Sequence, residues 1–446
     1  MPKPIIIERK IKSFNKNITV SSDKSLSIRF ALMASQATGV SRAYNLLRSE
    51  DVINTLRCLK KLGIKVVLNK KYCEITGKGI NGFKFKKNMV LNAGNSGTLA
   101  RLILALVIKS PNKIRLIGDR SLSKRDFSRV IDPLKKIGVH FYPNNKKTLP
   151  IYIKGSNFVR PIKYYEKRGS AQCKSSVMLA ALNIPGKTII KAKKSRNHTE
   201  LLFKYLKIPI KVKNKIENDF IEIKGFRDYK SFNYTIPSDI SSTSFFIVLT
   251  LLSKNSILKI KNVNVNPTRT GLIKILNTMG AKIKLINKKE YKGEKIADII
   301  VKSVKTLKAI NCPTIYNSSA IDEFLIIFLA AAKAKGTSYF KNLSELNQKE
   351  SPRLKLGSKI LNMMGIKTKT TNHSIKIIGN PKLNIENEIE IKNYLKDHRI
   401  FMMSTVAALV FGGKWKIHNP ESINTSFPMF LNLIQKLGAK ILWLKI

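Results

Sequence analysis

The sequence predicts an α/β fold assembled from six repeats of one supersecondary unit, on three observations. Helix-like and strand-like runs alternate along the whole chain. Six helix-like runs end in Leu, Ile or Met followed by Gly, once by Pro, and a strand-like run comes next. These stops recur about every 70–85 residues, which is typical of a repeated unit. They are Leu62-Gly63, Ile137-Gly138, Ile208-Pro209, Met279-Gly280, Met364-Gly365 and Leu437-Gly438.

Each repeat is predicted to run strand, helix, strand, helix, strand. In the first repeat, an apolar helix follows the polar segment SSDKS, and the extended segment VSRAYNLL comes after it. Ser49 is expected to cap the second helix, whose first turn carries Glu50 and Asp51, where acidic side chains suit the helix dipole. Gly63 fits the end of this helix because the residue after a helix often needs a left-handed backbone. The segment IKVVLNKKYCEITG then alternates like paired strands.

The other five repeats follow the same order. The first helix of each repeat is apolar on nearly all sides and is predicted to be buried, whereas the second is amphipathic and is predicted to lie outside. The first helices are SSDKSLSIRFALMASQATG, GNSGTLARLILALV, SAQCKSSVMLAALN, SDISSTSFFIVLTLL, IDEFLIIFLAAAKAKG and DHRIFMMSTVAALVFGG. The second helices are SEDVINTLRCLKKLG, SLSKRDFSRVIDPLKKIG, SRNHTELLFKYLKI, NPTRTGLIKILNTMG, QKESPRLKLGSKILNMMG and TSFPMFLNLIQKLG.

Composition limits the class of protein. At 446 residues, of which 43% are hydrophobic, the chain can form two or three domains with sizeable cores. It contains no run of 18 apolar residues, so no transmembrane helix is expected, and the N-terminal segment MPKPIIIERKIKSF differs from a secretory signal. The cysteines form no CxxC pair, which favours reduced thiols in a cytosol over a disulfide framework or a zinc site. They are Cys58, Cys73, Cys173 and Cys312.

The formal net charge of +56 has two interpretations. A nucleic-acid-binding protein carries such an excess of cations. The second interpretation is an AT-rich gene, because Lys, Asn and Ile make up more than a third of the residues and Lys is spread through every segment. We favour the second interpretation, although non-specific binding to polyanions is expected in either case.

Polar and charged residues concentrate at the starts of the predicted first helices. If repeated helices direct their N-termini to one place, the N–H groups and helix dipoles there build an anion site. Helix capping and solvated charge would also account for these residues. The segment Gly94-Asn95-Ser96-Gly97-Thr98 contains two glycines but is not a P-loop, because GxxxxGK[ST] is absent. Yet Lys24 and Arg29 enter an apolar helix, where charge is costly without an anionic partner. The three clusters are Asp23-Lys24-Ser25 with Arg29, Gly94-Asn95-Ser96-Gly97-Thr98 with Arg101, and Gly169-Ser170-Ala171-Gln172-Cys173-Lys174, in which Ser, Gln and Lys could bind hydroxyls and phosphate.

Arginine strengthens this pattern. Lys outnumbers Arg several-fold, so an Arg kept at a helix start suggests bidentate anion recognition. Two carboxylates, Asp322 and Glu350, also lie at predicted helix starts, either as first-turn acids that suit the dipole or, beside cations, as a general base and a general acid. The further cationic positions are Lys124, Arg125, Arg196, Arg269, Lys349, Arg353 and Arg399.

Nine segments resemble, in order, the motifs of the 5-enolpyruvylshikimate-3-phosphate synthase family. The resemblance covers essentially the whole chain, and the SAQxK and TSFP forms resemble the second class of the family more than the first. The segments are SSDKSLSIRFALMASQATG, LNAGNSGTLARLI, GDRSLSKRDFSRVIDPLKKIG, GSAQCKSSVMLAAL, NPTRTG, IDEF, QKESPRL, KDHRIFM and TSFPMF.

The resemblance implies an inside-out α/β fold with two domains of three repeats each. Residues 1–22 with 239–446 would form one domain and 23–238 the other, with the active site in the cleft between them. The implied reaction transfers the enolpyruvyl group of phosphoenolpyruvate to the 5-hydroxyl of shikimate 3-phosphate, releasing phosphate, in the shikimate pathway to chorismate. It requires no metal or organic cofactor. We expect a cytoplasmic monomer with these two small-molecule substrates, no membrane association and no specific nucleic-acid partner.

Carried over residue by residue, the resemblance assigns roles to the clusters. Asp322 is expected to accept the proton of the attacking 5-hydroxyl. Lys24 and Glu350 are candidates for protonating C3 and for removing that proton afterwards, and the assignment between them stays open. Phosphoenolpyruvate is expected to bind Lys24, Arg125, Arg353 and Arg399, with contacts from Asn95 and Gly97. Shikimate 3-phosphate is expected to bind Ser25, Arg29, Ser170, Gln172, Ser195, Asp322 and Lys349.

The chain departs from the family pattern at Ser22, Asp126, Asn347 and Pro352, which we expect to weaken activity without abolishing it. Gly97 is kept where glyphosate-resistant forms carry Ala, so inhibition by glyphosate is expected. The related UDP-N-acetylglucosamine enolpyruvyl transferase uses a Cys in the loop of its second repeat, whereas this loop is GDRSLSKRDF. Two further hypotheses are a nucleic-acid-binding protein and an inactive relative kept for an interaction.

Overall fold

The computed structural model describes residues 3–225 and 227–443. Contacts within the chain divide it into two compact units. The first unit comprises Met1–Ser21, Pro237–Glu290 and Lys295–Ile446, and the second comprises Ser22–Ile236 with Tyr291–Glu294. Among the described residues, no helix combines the length and the apolar character that crossing a membrane requires.

The strands are short and occur throughout the described chain. They are β1 (Ile5–Ile7), β2 (Asn15–Ile18), β3 (Thr38–Tyr44), β4 (Lys65–Leu68), β5 (Tyr72–Lys78), β6 (Val90–Asn92), β7 (Ile114–Ile117), β8 (His140–Tyr142), β9 (Ile151–Lys154), β10 (Lys163–Glu166), β11 (Lys187–Lys193), β12 (Ile210–Asn214), β13 (Asn218–Lys224), β14 (Asn233–Thr235), β15 (Ile257–Asn264), β16 (Lys282–Tyr291), β17 (Glu294–Lys302), β18 (Leu307–Lys308), β19 (Ala334–Phe340), β20 (Thr368–Thr370), β21 (Ile375–Gly379), β22 (Ile385–Ile391), β23 (Gly412–Ile417) and β24 (Leu442–Trp443).

The α-helices alternate with these strands. They are α1 (Lys24–Gln36), α2 (Glu50–Lys61), α3 (Gly97–Leu106), α4 (Ser128–Ile137), α5 (Ala171–Ala181), α6 (His198–Tyr205), α7 (Ile240–Leu252), α8 (Gly271–Thr278), α9 (Asn317–Ala320), α10 (Phe324–Ala332), α11 (Arg353–Met363), α12 (His398–Phe411) and α13 (Phe430–Lys436).

The strands form six four-stranded sheets, one for each predicted repeat. In the second unit the strand orders are β14-β3-β5-β4, β6-β7-β9-β8 and β10-β11-β13-β12, and in the first unit they are β16-β17-β15-β2, β18-β19-β21-β20 and β22-β23-β1-β24. Each sheet has one parallel pair at an edge, namely β14 with β3, β6 with β7, β10 with β11, β2 with β15, β18 with β19 and β22 with β23. The parallel pairs arise because a helix connects or precedes their strands, as in βαβ units.

The first helix of each repeat is buried, as predicted. Every residue of α7, α10 and α12 is buried in the first unit, and most residues of α1, α3 and α5 are buried in the second. The outer helices, such as α2 and α4, bury one face only. The strands alternate between buried and exposed positions, as in Lys187–Lys193. Within each unit, apolar helices therefore form the interior, and the sheets present their polar faces to solvent, which confirms the predicted fold class.

The six predicted stops all lie at the ends of outer helices. The five glycines adopt φ values between +81° and +113°, as predicted for residues that follow a helix. At Ile208-Pro209, proline cannot adopt a positive φ, and Lys207 takes the left-handed conformation instead, with φ of +55°. The five glycines are Gly63, Gly138, Gly280, Gly365 and Gly438.

A second set of glycines, outside these stops, permits close packing. Gly77, Gly155, Gly225 and Gly379 lie at or beside the ends of equivalent strands, β5, β9, β13 and β21. A Cβ atom on Gly77 would lie 2.2 Å from the carbonyl oxygen of Ala37, beside the end of α1. At the other three positions, too, a Cβ atom would fall within 2.5 Å of a backbone atom beside the end of the buried helix. These strands can therefore touch the ends of the buried helices only where no side chain is present.

We expect Gly77→Ala to lower the free energy of unfolding by about 3 kcal/mol, because the added methyl group forces backbone apart. Gly280→Ala is the matched control, since open space surrounds that position and only its φ of +92° is unfavourable for Ala. The control variant should lower the free energy of unfolding by about 1 kcal/mol. Chemical denaturation followed by circular dichroism measures both values. Equal losses in the two variants would contradict the packing argument.

Candidate active site

In the second unit, the buried helices α1, α3 and α5 begin with polar caps. Asp23, Ser96 and Ser170 occupy the N-cap positions, and their side-chain oxygens accept hydrogen bonds from first-turn backbone N–H groups at 2.9, 3.2 and 3.3 Å. α3 packs against both α1 and α5. These caps satisfy N–H groups that would otherwise lack acceptors in the interior.

Lys24, the first residue of α1, forms an ion pair with Asp51 of α2. Its Nζ lies 2.8 Å from Oδ2 of Asp51, and the two side chains are 19% and 5% exposed. The charge-assisted hydrogen bond fixes the ammonium group at the start of α1, while the partial exposure leaves it accessible to a ligand.

Arg29 lies deeper in α1 and is 4% exposed. Its Nε donates to Oγ1 of Thr199 at 2.9 Å, and its Nη2 donates to Oγ of Ser175 at 3.2 Å. Its Nη1 donates to the carbonyl oxygen of Ser25 at 3.2 Å. The guanidinium group is therefore held in one orientation by acceptors on three different elements.

Gly97, the first residue of α3, lies against two guanidinium groups. A Cβ atom at this position would lie 2.9 Å from an Nη1 atom of both Arg101 and Arg125. Arg101 donates to Oε1 of Gln172 at 2.7 Å, and its Cζ lies 5.1 Å from the centre of the Phe127 ring. The missing side chain at Gly97 thus lets two cations approach the start of a helix, where an anion is favoured.

The loop before α5 is organised by a buried carboxylate. Glu166 accepts hydrogen bonds from the backbone N–H groups of Arg168, Gly169 and Ser170 at 3.1, 2.6 and 2.9 Å. Burial raises the pKa of Glu166 above its usual value, although these hydrogen bonds oppose the effect. The backbone N–H of Ser170 is therefore held by Glu166 of the preceding loop, while the Ser170 hydroxyl caps the first turn of α5.

In the first unit, the starts of the buried helices carry a denser set of charges. α7, α10 and α12 pack against one another pairwise. Nη1 of Arg399, near the start of α12, donates to the backbone oxygen of Asp322, just before α10, at 2.7 Å. We call the charged residues at the starts of the buried helices α10 and α12 and of the outer helix α11 the first-unit cluster. It comprises Asp322, Lys349, Glu350, Arg353, Asp397 and Arg399.

Arg353 lies at the centre of the first-unit cluster and is 1% exposed. Its Nε lies 2.9 Å from Oδ2 of Asp397, its Nη1 lies 3.5 Å from Oδ1 of Asp322, and its Nη2 contacts Glu350. Burial opposes its charge, but the three carboxylates outweigh burial and raise the pKa of Arg353. A buried guanidinium with carboxylates on several sides is the arrangement in which Arg is preferred to Lys.

Asp322 lies among three cations. Its Oδ1 is 3.2 Å from Nζ of Lys349 and 3.5 Å from Arg353, and its Oδ2 is 4.0 Å from Nη2 of Arg399. The side chain is 15% exposed, so a substrate hydroxyl can reach it. A carboxylate in such a position can accept a proton from a bound ligand.

Asp397, the N-cap of α12, ties the first-unit cluster together. Its carboxylate accepts hydrogen bonds from the backbone N–H of Arg399 at 2.9 Å, from the Ser351 hydroxyl at 2.8 Å and from Arg353. The residue is fully buried. Burial alone would raise the pKa of Asp397, but the Arg353 charge outweighs burial and holds this pKa below its usual value.

The comparisons with known proteins agree with one another. The family model for EPSP synthase (3-phosphoshikimate 1-carboxyvinyltransferase) matches residues 8–434. A 3-phosphoshikimate 1-carboxyvinyltransferase from Petrotoga mobilis is 38% identical over 433 residues, covering 96% of this chain and 98% of the relative. One from Ruthia magnifica is 38% identical over 430 residues, covering 95% of each. The chain belongs to the EPSP synthase family.

Solved structures show the same fold. An EPSP synthase from Acinetobacter baumannii superposes with a TM-score of 0.86 at 34% identity, covering 99% of this chain and 100% of that one. The enolpyruvyl transferase NikO from Streptomyces tendae gives a TM-score of 0.76 at 14% identity, which shows the fold alone. The enolpyruvyl transferase-like α/β fold and the family resemblance are thus both confirmed, and the chain is a transferase by family.

The predicted site residues of this EPSP synthase family member divide between the two units. In the first unit, Asp322, Lys349, Glu350, Arg353 and Arg399 form one contacting cluster. In the second unit, Gly97 lies against Arg125, Gln172 bonds to Thr98 as well as Arg101, and Asn95 donates to Oδ2 of Asp119 at 2.5 Å. Ser195 is buried. The second-unit positions are Lys24, Ser25, Arg29, Asn95, Gly97, Arg125, Ser170, Gln172 and Ser195.

Lys174, which the sequence offers as one possible ligand of hydroxyls or phosphate, has a partner inside the protein. Its side chain is fully buried and its Nζ lies 2.5 Å from Oε1 of Glu200. Asp51, Ser175, Thr199, Glu200 and Asp397 are partners that sequence reasoning did not assign to the site. The sequence indicated only their residue types, such as a hydroxyl within the apolar helical pattern for Ser175 and a first-turn acid for Asp51.

Three of the four departures from the family pattern have a local structural role. Both carboxylate oxygens of Asp126 accept hydrogen bonds from Ser128 at 2.8 Å, at the start of α4. Pro352 is the N-cap residue of α11, where a missing N–H costs little. Oδ1 of Asn347 accepts a hydrogen bond from the N–H of Leu354 at 3.2 Å in the first turn of that helix. Nothing in the structure explains Ser22.

The described residues contain no group of three or more His, Cys, Asp or Glu side chains that could hold a metal ion. The four cysteines are buried free thiols. Burial raises the pKa of Cys58, Cys73 and Cys312 to about 11, so these side chains are thiols rather than reactive thiolates at neutral pH.

We expect Asp397→Asn to lower the free energy of unfolding at pH 7 by about 3 kcal/mol or more, because it leaves the buried Arg353 charge poorly compensated. The pKa of Asp397 is depressed in the folded state, so this stabilisation is present above the unfolded pKa of about 3.9 and is lost as the pH falls through the folded value. Chemical denaturation at several pH values measures both effects.

The control for this prediction is Glu388→Gln, which removes an exposed carboxylate that lies 3.6 Å from Lys414 in the same unit. That change should alter the free energy of unfolding by less than about 1 kcal/mol. A loss in Asp397→Asn no larger than in the control would show that the ion pair does not support the fold.

Proposed function

We propose that this chain transfers the enolpyruvyl group of phosphoenolpyruvate to the 5-hydroxyl of shikimate 3-phosphate and releases phosphate, as its family does in the shikimate pathway. The observation that supports the proposal most strongly is the first-unit cluster, in which two accessible carboxylates and three cations gather at the starts of α10, α11 and α12. The cations of this cluster can bind two anionic substrates, and its carboxylates can accept a proton from a neutral hydroxyl oxygen.

We also propose that residues of both units act on the same substrates. Residues 1–22 with 239–446 and residues 23–238 are the domain bounds that the family resemblance implies, and they remain a prediction. Phosphoenolpyruvate would bind the cations Lys24, Arg125, Arg353 and Arg399, with Asn95 and the backbone of Gly97. Shikimate 3-phosphate would bind Ser25, Arg29, Ser170, Gln172, Ser195, Asp322 and Lys349.

In the proposed reaction, Asp322 accepts the proton of the 5-hydroxyl as the oxygen attacks C2 of phosphoenolpyruvate and C3 takes up a proton. A tetrahedral intermediate results. It collapses when C3 loses a proton and the bond from C2 to the phosphate oxygen breaks, which restores the double bond. Lys24, held by Asp51, and Glu350, in contact with Arg353, are the two candidates for giving C3 its proton and for removing one afterwards.

We propose a cytoplasmic monomer that has no specific nucleic-acid partner despite its net charge of +56. Light scattering at physiological salt tests the oligomeric state. A sequence-specific, salt-resistant complex with DNA or RNA would contradict the second part, because non-specific binding to polyanions weakens steeply with salt.

We expect Asp322→Asn and Lys24→Met each to lower turnover by about 100-fold or more, the usual range for removing a general acid or base. Phosphate release from the two substrates together measures turnover, and circular dichroism shows that each variant is folded. Asp132→Asn, at an exposed position on α4, is the matched control and should keep the activity of the unmodified protein. Near-normal rates in either site variant would refute the assigned role, and no phosphate release by the unmodified protein would refute the function.

We expect glyphosate to inhibit the unmodified protein and Gly97→Ala to weaken both glyphosate inhibition and phosphoenolpyruvate binding. The reason is that the new methyl group would lie 2.9 Å from Arg101 and Arg125 and would displace these guanidinium groups. The KM for phosphoenolpyruvate should rise severalfold, whereas the KM for shikimate 3-phosphate should change little. Turnover of the unmodified protein that millimolar glyphosate leaves unchanged would contradict the prediction.

A further inference from the structure

The start of α6 presents three consecutive buried side chains, each of which contacts a different partner within the second unit. His198 lies with Nδ1 2.6 Å from Oε1 of Glu294, Thr199 accepts from Arg29, and Glu200 pairs with Lys174. α6 is an outer helix of only eight residues. Its first turn buries three polar side chains, whereas the buried residues that follow, Leu202 and Phe203, are apolar and belong to the core.

Thr199 provides the most direct link to the proposed site. Its Oγ1 accepts from Nε of Arg29 at 2.9 Å and shares a 2.7 Å hydrogen bond with Oγ of Ser175, which accepts from Nη2 of Arg29. Thr199 and Ser175 thus cover one edge of the guanidinium group together. Both hydroxyls are buried, and both are neutral, so these bonds orient Arg29 without cancelling its charge.

The ion pair between Lys174 and Glu200 keeps this arrangement in place. Lys174 precedes Ser175 on α5, and Glu200 follows Thr199 on α6. The pair is 2.5 Å long and its side chains are 0% and 4% exposed, so the electrostatic attraction acts with little solvent screening. Each hydroxyl that contacts Arg29 is therefore next to one end of a buried ion pair that joins the two helices.

We propose that Thr199 is a positioning residue that, with Ser175, sets the orientation of Arg29 for binding shikimate 3-phosphate. The inference rests on the proposed function, which makes shikimate 3-phosphate the ligand of Arg29. A guanidinium group recognises a carboxylate or phosphate through paired N–H groups of fixed direction, so its affinity depends on its orientation. The start of α6 controls the recognition of this substrate through Arg29.

Steady-state kinetics of Thr199→Val test the proposal, because valine keeps the shape of threonine and removes only the hydroxyl. We expect the KM for shikimate 3-phosphate to rise about tenfold, as for loss of one hydrogen bond to a charged group. The kcat and the KM for phosphoenolpyruvate should stay within about twofold. Thr199→Ser, which keeps the hydroxyl, should restore the KM. An unchanged KM for shikimate 3-phosphate in Thr199→Val would overturn the proposal.

A double-mutant cycle distinguishes positioning from a general effect on packing. Arg29→Lys keeps a cation but has no Nε–H group for Thr199 to orient. In this background, Thr199→Val should raise the KM for shikimate 3-phosphate by less than about twofold further, because its effect acts through Arg29. Independent, multiplicative effects would overturn the proposal.

Thr250→Val is the matched control, since the Thr250 hydroxyl donates to the carbonyl oxygen of Phe246 within α7 in the other unit. It should leave all three kinetic constants within about twofold of those of the unmodified protein. Calorimetry of shikimate 3-phosphate binding in the absence of phosphoenolpyruvate, together with the turnover measurements, distinguishes failure of the positioning role from failure of the proposed function. If the unmodified protein binds and turns over its substrates while Thr199→Val matches it, only the positioning role fails; if the unmodified protein has no turnover, the proposed function fails.

Discussion

The charged residues of the buried helices obey one constraint, which is that they lie within the first two turns of each helix. There the backbone N–H groups lack helical acceptors and the dipole favours negative groups, so acidic and hydroxyl caps are stabilising. Asp23, Ser170 and Asp397 are such caps. Because the fold repeats the buried helix six times, it also repeats six times a helix start at which polar and charged side chains can be placed. The proposed site is assembled from helix starts.

The two units hold buried arginine in different ways. In the first unit, Arg353 contacts three carboxylates, so its charge is offset inside the protein and serves to hold those carboxylates in place. In the second unit, a hydroxyl pair and a backbone carbonyl, which are neutral acceptors, orient Arg29. Hydrogen bonds from an ionised donor to an anion are stronger than those to neutral acceptors, so a bound anionic substrate would add to the stability of this arrangement.

The sequence alone could predict the repeats, the alternation of buried and outer helices and the left-handed stops, because each depends on residues close together in the chain. Even the exception at Ile208-Pro209 follows a local rule, since the left-handed residue moves to Lys207. The partners of the site residues could not be predicted. Thr199 lies 170 residues from Arg29 and Asp397 lies 44 residues from Arg353, and a residue type does not reveal what it will meet across such distances.

Several arginines of this chain are buried and make contacts that a lysine could not make, which bears on the meaning of the net charge. Lys187 and Lys193 are typical lysines, exposed on the outer face of a strand, where solvent screens the charge and substitution costs little. Arg29, Arg269 and Arg353 are buried and contact acceptors in several directions, which a single ammonium group cannot reproduce. A drift toward lysine would therefore accumulate at exposed positions and spare these buried arginines. The net charge of +56 then reflects the exterior of the protein more than its buried arginines, whose contacts a lysine could not reproduce.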